Sequence, residues 1–153
     1  MRRNLWAAVG AALVVGAFGS AVSVPQATRA AESAPQAKLV ATIYFAPDSD
    51  ELSAAAKSQL DGVHKAYPKS ALRVVAIHGH ADPAECTECG GPSDSYAIGL
   101  SQRRAGNVRS YLAGGNIPDG EMVTRAFGGS KSKGKPAAQM RRVEVYFAAD
   151  SDY

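Results

Sequence analysis

Apolar and polar positions between residues 38 and 147 switch between two rhythms, one near two residues and one near 3.6, and the switches mark out the elements. Lys38 to Phe45 carries Leu39, Val40, Ile43, Tyr44 and Phe45 and predicts a first strand, with Pro47-Asp48-Ser49-Asp50 as the turn that follows. Leu52, Ala56, Leu60, Val63 and Tyr67 recur at helical spacing. They predict a helix from Leu52 to Ala66, with Ser53 as its N-cap and Pro68 as its stop. Leu72 to Ile77 is a continuous run rich in Val and Ile, closed by Gly79, and predicts a strand buried on both faces. Tyr96 to Leu112 predicts a second helix. Ile98, Ala105, Val108 and Leu112 share one face, Arg103, Arg104 and Arg109 take the others, and Gly114-Gly115 ends it. Met122 to Phe127 predicts a third strand. In Arg141 to Phe147, Arg142, Glu144 and Tyr146 alternate with Val143, Val145 and Phe147, the pattern of a half-solvated strand. Residues 83–95 and 128–136 predict loops.

The resulting order, β-α-β-α-β-β, predicts an α+β fold: a two-layer sandwich with a four-stranded mixed sheet and two main helices on one face. At 153 residues there is room for one domain with a modest core.

Ahead of these elements the pattern changes. Arg2 and Arg3 precede an apolar stretch from Leu5 to Val24, and small residues at Ala21-Val22-Ser23 or Thr28-Arg29-Ala30 offer cleavage points. Residues 1–30 therefore read as a secretory signal peptide, 31–37 as a linker and 38–150 as the domain. The apolar stretch is also long enough for an uncleaved membrane anchor, an alternative that stays open. No Cys lies near its end, so a lipid-anchored form is not expected. The leader holds three of the seventeen basic residues (Arg2, Arg3, Arg29) and no acidic one, so residues 31–153 carry fourteen charges of each sign. The basic character thus belongs to the leader. No bulk positive field points to nucleic acid, and a ligand would have to be read by a few placed charges.

The placed charges that stand out are in Gly79-His80-Ala81-Asp82 and Ser101-Gln102-Arg103-Arg104-Ala105. Asp82 follows the buried strand; two arginines lie in the second helix. An acid and an arginine so placed can hold a small zwitterion, the carboxylate taking an ammonium and the planar guanidinium forking onto a carboxylate. Arg103 and Arg104 point about 100° apart, so at most one easily reaches a site beside Asp82. The plain alternatives are a turn-forming Asp and a solvated helix face. Cys86 and Cys89 lie between the two segments, and an oxidising compartment would favour a local disulfide. His78 and His80 leave a metal site open as a second reading, and a redox dithiol as a third. Ser49, Ser95 and Ser101 lack a His and acid at a recognised spacing, so no catalytic residues are expected.

Five motifs in order make residues 43–147 resemble the OmpA C-terminal-like domain family. They are Phe45 with Asp48-Ser49-Asp50-Glu51-Leu52; Gly79-His80-Ala81-Asp82; Tyr96 through Ala105; Phe127-Gly128-Gly129; and Met140-Arg141-Arg142-Val143-Glu144. The resemblance implies a non-enzymatic module that needs no cofactor and binds the peptidoglycan stem peptide. It further implies a periplasmic, outer-membrane-associated setting that helps attach outer membrane to wall. Peptidoglycan is the implied partner, and outer-membrane or other envelope proteins are further candidates. It implies that Asp82 and Arg104 bind diaminopimelate, the acid on the ammonium and the arginine on the carboxylate, with Ala81, Ser101, Arg103 and Arg141 as secondary contacts.

The chain departs from the family pattern at Ala81, Ala97, Ala137 and Met140, where polar groups are lost. The Asp82-to-Ser101 spacing is longer by about seven residues, and that excess contains both cysteines. A metal- or redox-responsive envelope protein working through Cys86 and Cys89 is the alternative function on the same fold. A domain that kept the fold and lost the ligand is the third.

Overall fold

A computed structural model describes residues 37–67, 73–131 and 134–149. The expected leader, most of the expected linker and the expected helix stop at Pro68 lie outside these. Among the described residues no helix is long and apolar enough to cross a membrane.

The expected order is present. Strand β1 is Lys38–Tyr44, helix α1 Ala54–Ala66, strand β2 Arg73–Gly79, helix α2 Asp94–Ala113, strand β3 Met122–Ala126 and strand β4 Arg142–Ala149. A helical turn, α3, spans Ala137–Met140, residues to which the sequence pattern assigns no element, between the expected loop 128–136 and the expected strand from Arg141. Ser53 caps α1 as predicted, its Oγ accepting from the Ala56 amide. Helix α2 begins two residues earlier than the apolar spacing indicates, because Ser93 caps it and Asp94 supplies the acid its first turn favours. Strand β2 runs two residues past Ile77, because the ladder to β4 continues through His78 and Gly79.

The strands form one mixed sheet in the order β1-β4-β2-β3. Strand β4 runs antiparallel to both β1 and β2, while β2 and β3 are parallel, as a strand-helix-strand crossover requires. The core lies between this sheet and the two main helices. Leu60 and Val63 of α1 and Val108 and Leu112 of α2 meet Ile77 and Val145 there, all at most 2% exposed. Both helices thus cover one face, as expected. Val74 and Ala76 of β2 are also buried although they point to the other face, which explains the unbroken apolar run.

Two glycines let the sheet and its loops close onto α2. A Cβ at Gly79 would overlap the Ser101 carbonyl, so only glycine lets the end of β2 lie against the helix. Gly128 has φ +49°, and a Cβ there would press on Ile98.

Candidate functional site

The end of β2, the turn after β1 and the middle of α2 converge on one buried guanidinium. Arg104 is 0% exposed. Its Nε donates to the Ser49 carbonyl at 2.8 Å. Its Nη1 donates to the His80 carbonyl (3.3 Å) and Glu85 Oε2 (3.1 Å), and its Nη2 to the Ala46 carbonyl (3.1 Å) and Glu85 Oε1 (2.7 Å). All five N–H donors are used. The ring of Phe45 lies 5.2 Å beneath the guanidinium carbon.

Glu85 is equally committed. Besides the arginine fork, its Oε1 accepts the Asp48 amide (2.9 Å) and its Oε2 the Asp82 amide (2.8 Å). Its side chain is 3% exposed. The Asp48 amide reaches it because Asp48 has φ +52°, the one non-glycine in the left-handed region among the described residues and a residue type that tolerates it. Tyr96 Oη donates to the Asp48 carboxylate. This hydrogen bond, more than burial, raises the Tyr96 phenol above its usual value.

Asp82 lies beside this pair, 8% exposed. Its Oδ1 caps the short turn Pro83–Glu85 by accepting from the Ala84 amide at 3.0 Å. No cationic side chain pairs with Asp82 among the described residues. The pairing of Asp82 with Glu85 is a capping box: each side chain satisfies the other's backbone amide region. The loop beyond is closed at its base by Ser93 N–H donating to Pro83 O at 2.9 Å. Within it Cys86 and Cys89 are joined, their Cα atoms 5.5 Å apart.

The other expected contacts fall in different places. Arg103 is turned outward, its side chain 53% exposed and its Nε 3.4 Å from Asp50 Oδ2. Ala81 is fully enclosed with Ala97 and Leu100, and its amide donates to Gly128 O. Ser101 is fully buried too; its Oγ donates to Ile98 O (2.8 Å) and accepts from Gly128 N (3.1 Å), tying the loop after β3 to α2. Side-chain contact with a ligand, expected for Ala81 and Ser101, is not offered by this arrangement: enclosure turns both to internal packing and loop attachment. Arg141 is half-buried, and its Nε has no hydrogen-bond partner among the described residues.

His80 serves the fold. Its ring stacks on Phe127 at 5.4 Å, and Nε2 lies 3.4 Å from Glu144 Oε2, a contact without hydrogen-bond alignment. Burial, then the Arg142 charge, lowers its pKa to about 4 against the pull of Glu144. Burial likewise lowers His78, whose ring stands edge-on to Phe127. Burial pushes the Glu144 carboxyl up, but hydrogen bonds from Arg142 and Tyr146 outweigh it and hold it low. No three of His, Cys, Asp and Glu converge as a metal site among the described residues, so the two histidines and two cysteines do not form the ligand set that the metal reading needs.

Glu85 is the residue that sequence reasoning missed. A signal for it existed. Ala97, Ser101, Arg104, Val108 and Leu112 follow each other at three- and four-residue steps, all buried, so Arg104 stands on the apolar stripe of α2. A charge there requires an internal partner of opposite sign.

The OmpA family pattern matches residues 44–144. A peptidoglycan-associated lipoprotein of Rhizobium meliloti (strain 1021) is 32% identical over 96 residues, 63% of this chain and 48% of that protein. The chain thus spans about half the length of that relative. In fold, the chain is similar to the OmpA-like domain of FopA1 from Francisella tularensis, with TM-score 0.58, 22% identity and coverage of 76% of this chain and 82% of that one. It is also similar to the peptidoglycan-associated lipoprotein of Burkholderia pseudomallei, with TM-score 0.51, 26% identity and coverage of 69% and 88%. With the motifs, the sheet order and the family match in agreement, the chain belongs to the OmpA family.

Proposed function

We propose that this domain is a non-catalytic module that holds the peptide stem of peptidoglycan in the cell envelope and so helps attach the outer membrane to the wall. The setting is the periplasm, reached through the leader at residues 1–30. Kinship supports the class of ligand, since two similar proteins are named for their association with peptidoglycan.

The observation that carries the reading is Asp82, a nearly buried carboxylate beside a filled arginine seat. The arginine fork and two backbone amides already hold one carboxylate there, and an acid with no cationic partner among the described residues adjoins it. The ω end of diaminopimelate presents an ammonium next to a carboxyl group. Asp82 is our candidate for the ammonium, beside the seat in which Arg104 already holds the Glu85 carboxylate. Contacts of this kind are individually weak, and a polymer with many stems makes weak binding useful.

Sedimentation with purified sacculi tests the reading. Asp82→Asn is the suitable variant, because the amide oxygen can still cap the Ala84 N–H while the charge is gone. Wild type should sediment with the wall and the variant should lose most of that binding. Equal sedimentation of the two would remove Asp82 from the site, and no sedimentation of wild type would end the reading.

A further inference from the structure

The geometry points to Glu85 as the residue that sets which stem peptide the site accepts. It is an internal carboxylate seated on Arg104. We infer that the domain prefers a stem whose diamino acid presents its ammonium without a free carboxylate beside it, either ω-amidated diaminopimelate or lysine. The inference rests on the stem-binding reading above and gives that site its specificity.

The argument is one of occupancy and charge. Every N–H of Arg104 is bonded, and Glu85 accepts four hydrogen bonds, two from Arg104 and one each from the Asp48 and Asp82 amides. A ligand carboxylate can reach the fork only by expelling Glu85. The expelled group is tethered three residues from Asp82 inside a capping box, so it returns at an effective concentration of millimolar or more. A weakly bound stem peptide does not win that competition.

Nor can a second carboxylate simply be added. Asp82, Glu85 and Arg104 together carry one net negative charge in a largely enclosed site. A further anion would put three acids around one guanidinium, at a distance where like charges repel strongly. A cation suffers neither penalty. Asp82 is the carboxylate left without a cation among the described residues, on a residue only 8% exposed. A primary ammonium can pair with that carboxylate, and an amide or hydrogen in place of the neighbouring carboxylate leaves Glu85 undisturbed.

The test is isothermal titration of the full chain with three soluble stem tripeptides that differ only in the last residue: lysine, ω-amidated diaminopimelate and free diaminopimelate. Wild type should bind the first two at least tenfold more tightly than the third. Equal affinities, or a preference for the free carboxylate, overturn the inference while leaving stem binding standing. Binding of none of the three removes the stem-binding reading and the inference together. Glu85→Gln, which keeps the volume and removes the charge, should narrow the ratio to about twofold or less. A folded Glu85→Gln protein with the wild-type ratio shows that Glu85 does not set it. If that variant does not fold, the wild-type ranking decides alone.

Discussion

Arg104 and Arg109 stand five residues apart on α2, and each forks onto a carboxylate. Arg104 meets Glu85 at 2.7 and 3.1 Å, and Arg109 meets Asp119 at 2.8 Å through both Nε and Nη2. Their surroundings differ. The Arg104 and Glu85 side chains are 0% and 3% exposed, while those of Arg109 and Asp119 are 32% and 67% exposed. Arg104 and Glu85 also bond five backbone groups: the Ala46, Ser49 and His80 carbonyls and the Asp48 and Asp82 amides. Arg109 adds one, the Asp119 carbonyl. Fork geometry alone therefore says little. The buried pair clips two chain segments, 46–49 and 80–85, to one helix, and the exposed pair decorates a surface.

The sharpest way to break this comparison is to remove one member of the buried pair. Arg104→Ala or Glu85→Ala strands a charge in the interior and should cost about 3–5 kcal/mol in urea unfolding. Replacing both by Met, a change that elsewhere can be neutral, should not rescue the protein. The five backbone groups lose their partners as well, at about 1–3 kcal/mol for each one that stays buried. A double variant within about 1 kcal/mol of wild type would show that the backbone bonds carry little.

A different buried group gives the next largest effect. The folded protein holds His80 at a pKa of about 4, against 6.5 for the free side chain. Between those values the unfolded chain binds a proton that the folded one refuses, so stability is full above 6.5 and falls as pH drops toward 4. The loss should reach about 2 kcal/mol by pH 5, from about 1.4 kcal/mol per pH unit in that window. Urea midpoints at pH 7.5, 6 and 5 measure it. His80→Gln, with no imidazole to charge, should flatten the slope over that range. An unchanged slope would assign the acid sensitivity elsewhere.

The disulfide asks how much of Glu85's position depends on the loop that follows it. Cys86 and Cys89 close a ring of four residues, since they stand three apart. Chain-entropy reasoning gives such a short loop about 2 kcal/mol. Cys86→Ser/Cys89→Ser should lose about that much in urea unfolding and keep the wild-type ranking of the three tripeptides. A collapsed ranking would show that the brace, and not the four hydrogen bonds on Glu85, holds the seat closed.

How far the sequence revealed these features follows from the physics of each. The strands and main helices were legible because burial imposes a period, and Val143, Val145 and Phe147 or Leu60 and Val63 obey it. Helix α3 carries too few residues, Ala137–Met140, to show one. The early start of α2 was hidden because Ser93 caps through an oxygen, independent of apolar spacing. Arg104 was singled out by family resemblance alone, and its burial was not expected, because a charged side chain is by default assigned to solvent. Glu85 lies in a Pro- and Cys-rich loop with no period. Its pairing spans nineteen residues, and only the folded chain brings the two together. The resemblance pointed to the seat but not to what already sits in it.

The smallest expected effect is the strictest check on the comparison. Arg109→Ala removes a fork whose distances equal or better those of the buried one. The bonds to Asp119 raise the arginine's pKa and lower the acid's, so both stay charged over the whole working range. Water and salt nevertheless screen the pair, and two free side chains must be ordered to form it. The urea midpoint of Arg109→Ala should therefore differ from wild type by no more than the error of the measurement, and raising the salt concentration should erase any residue of difference. Binding to sacculi should be unchanged, since Asp119 lies at the far end of α2 from Asp82, on the approach to β3. A midpoint shift as large as that of Glu85→Ala would mean that fork geometry, and not burial with backbone partners, decides what an arginine contributes here.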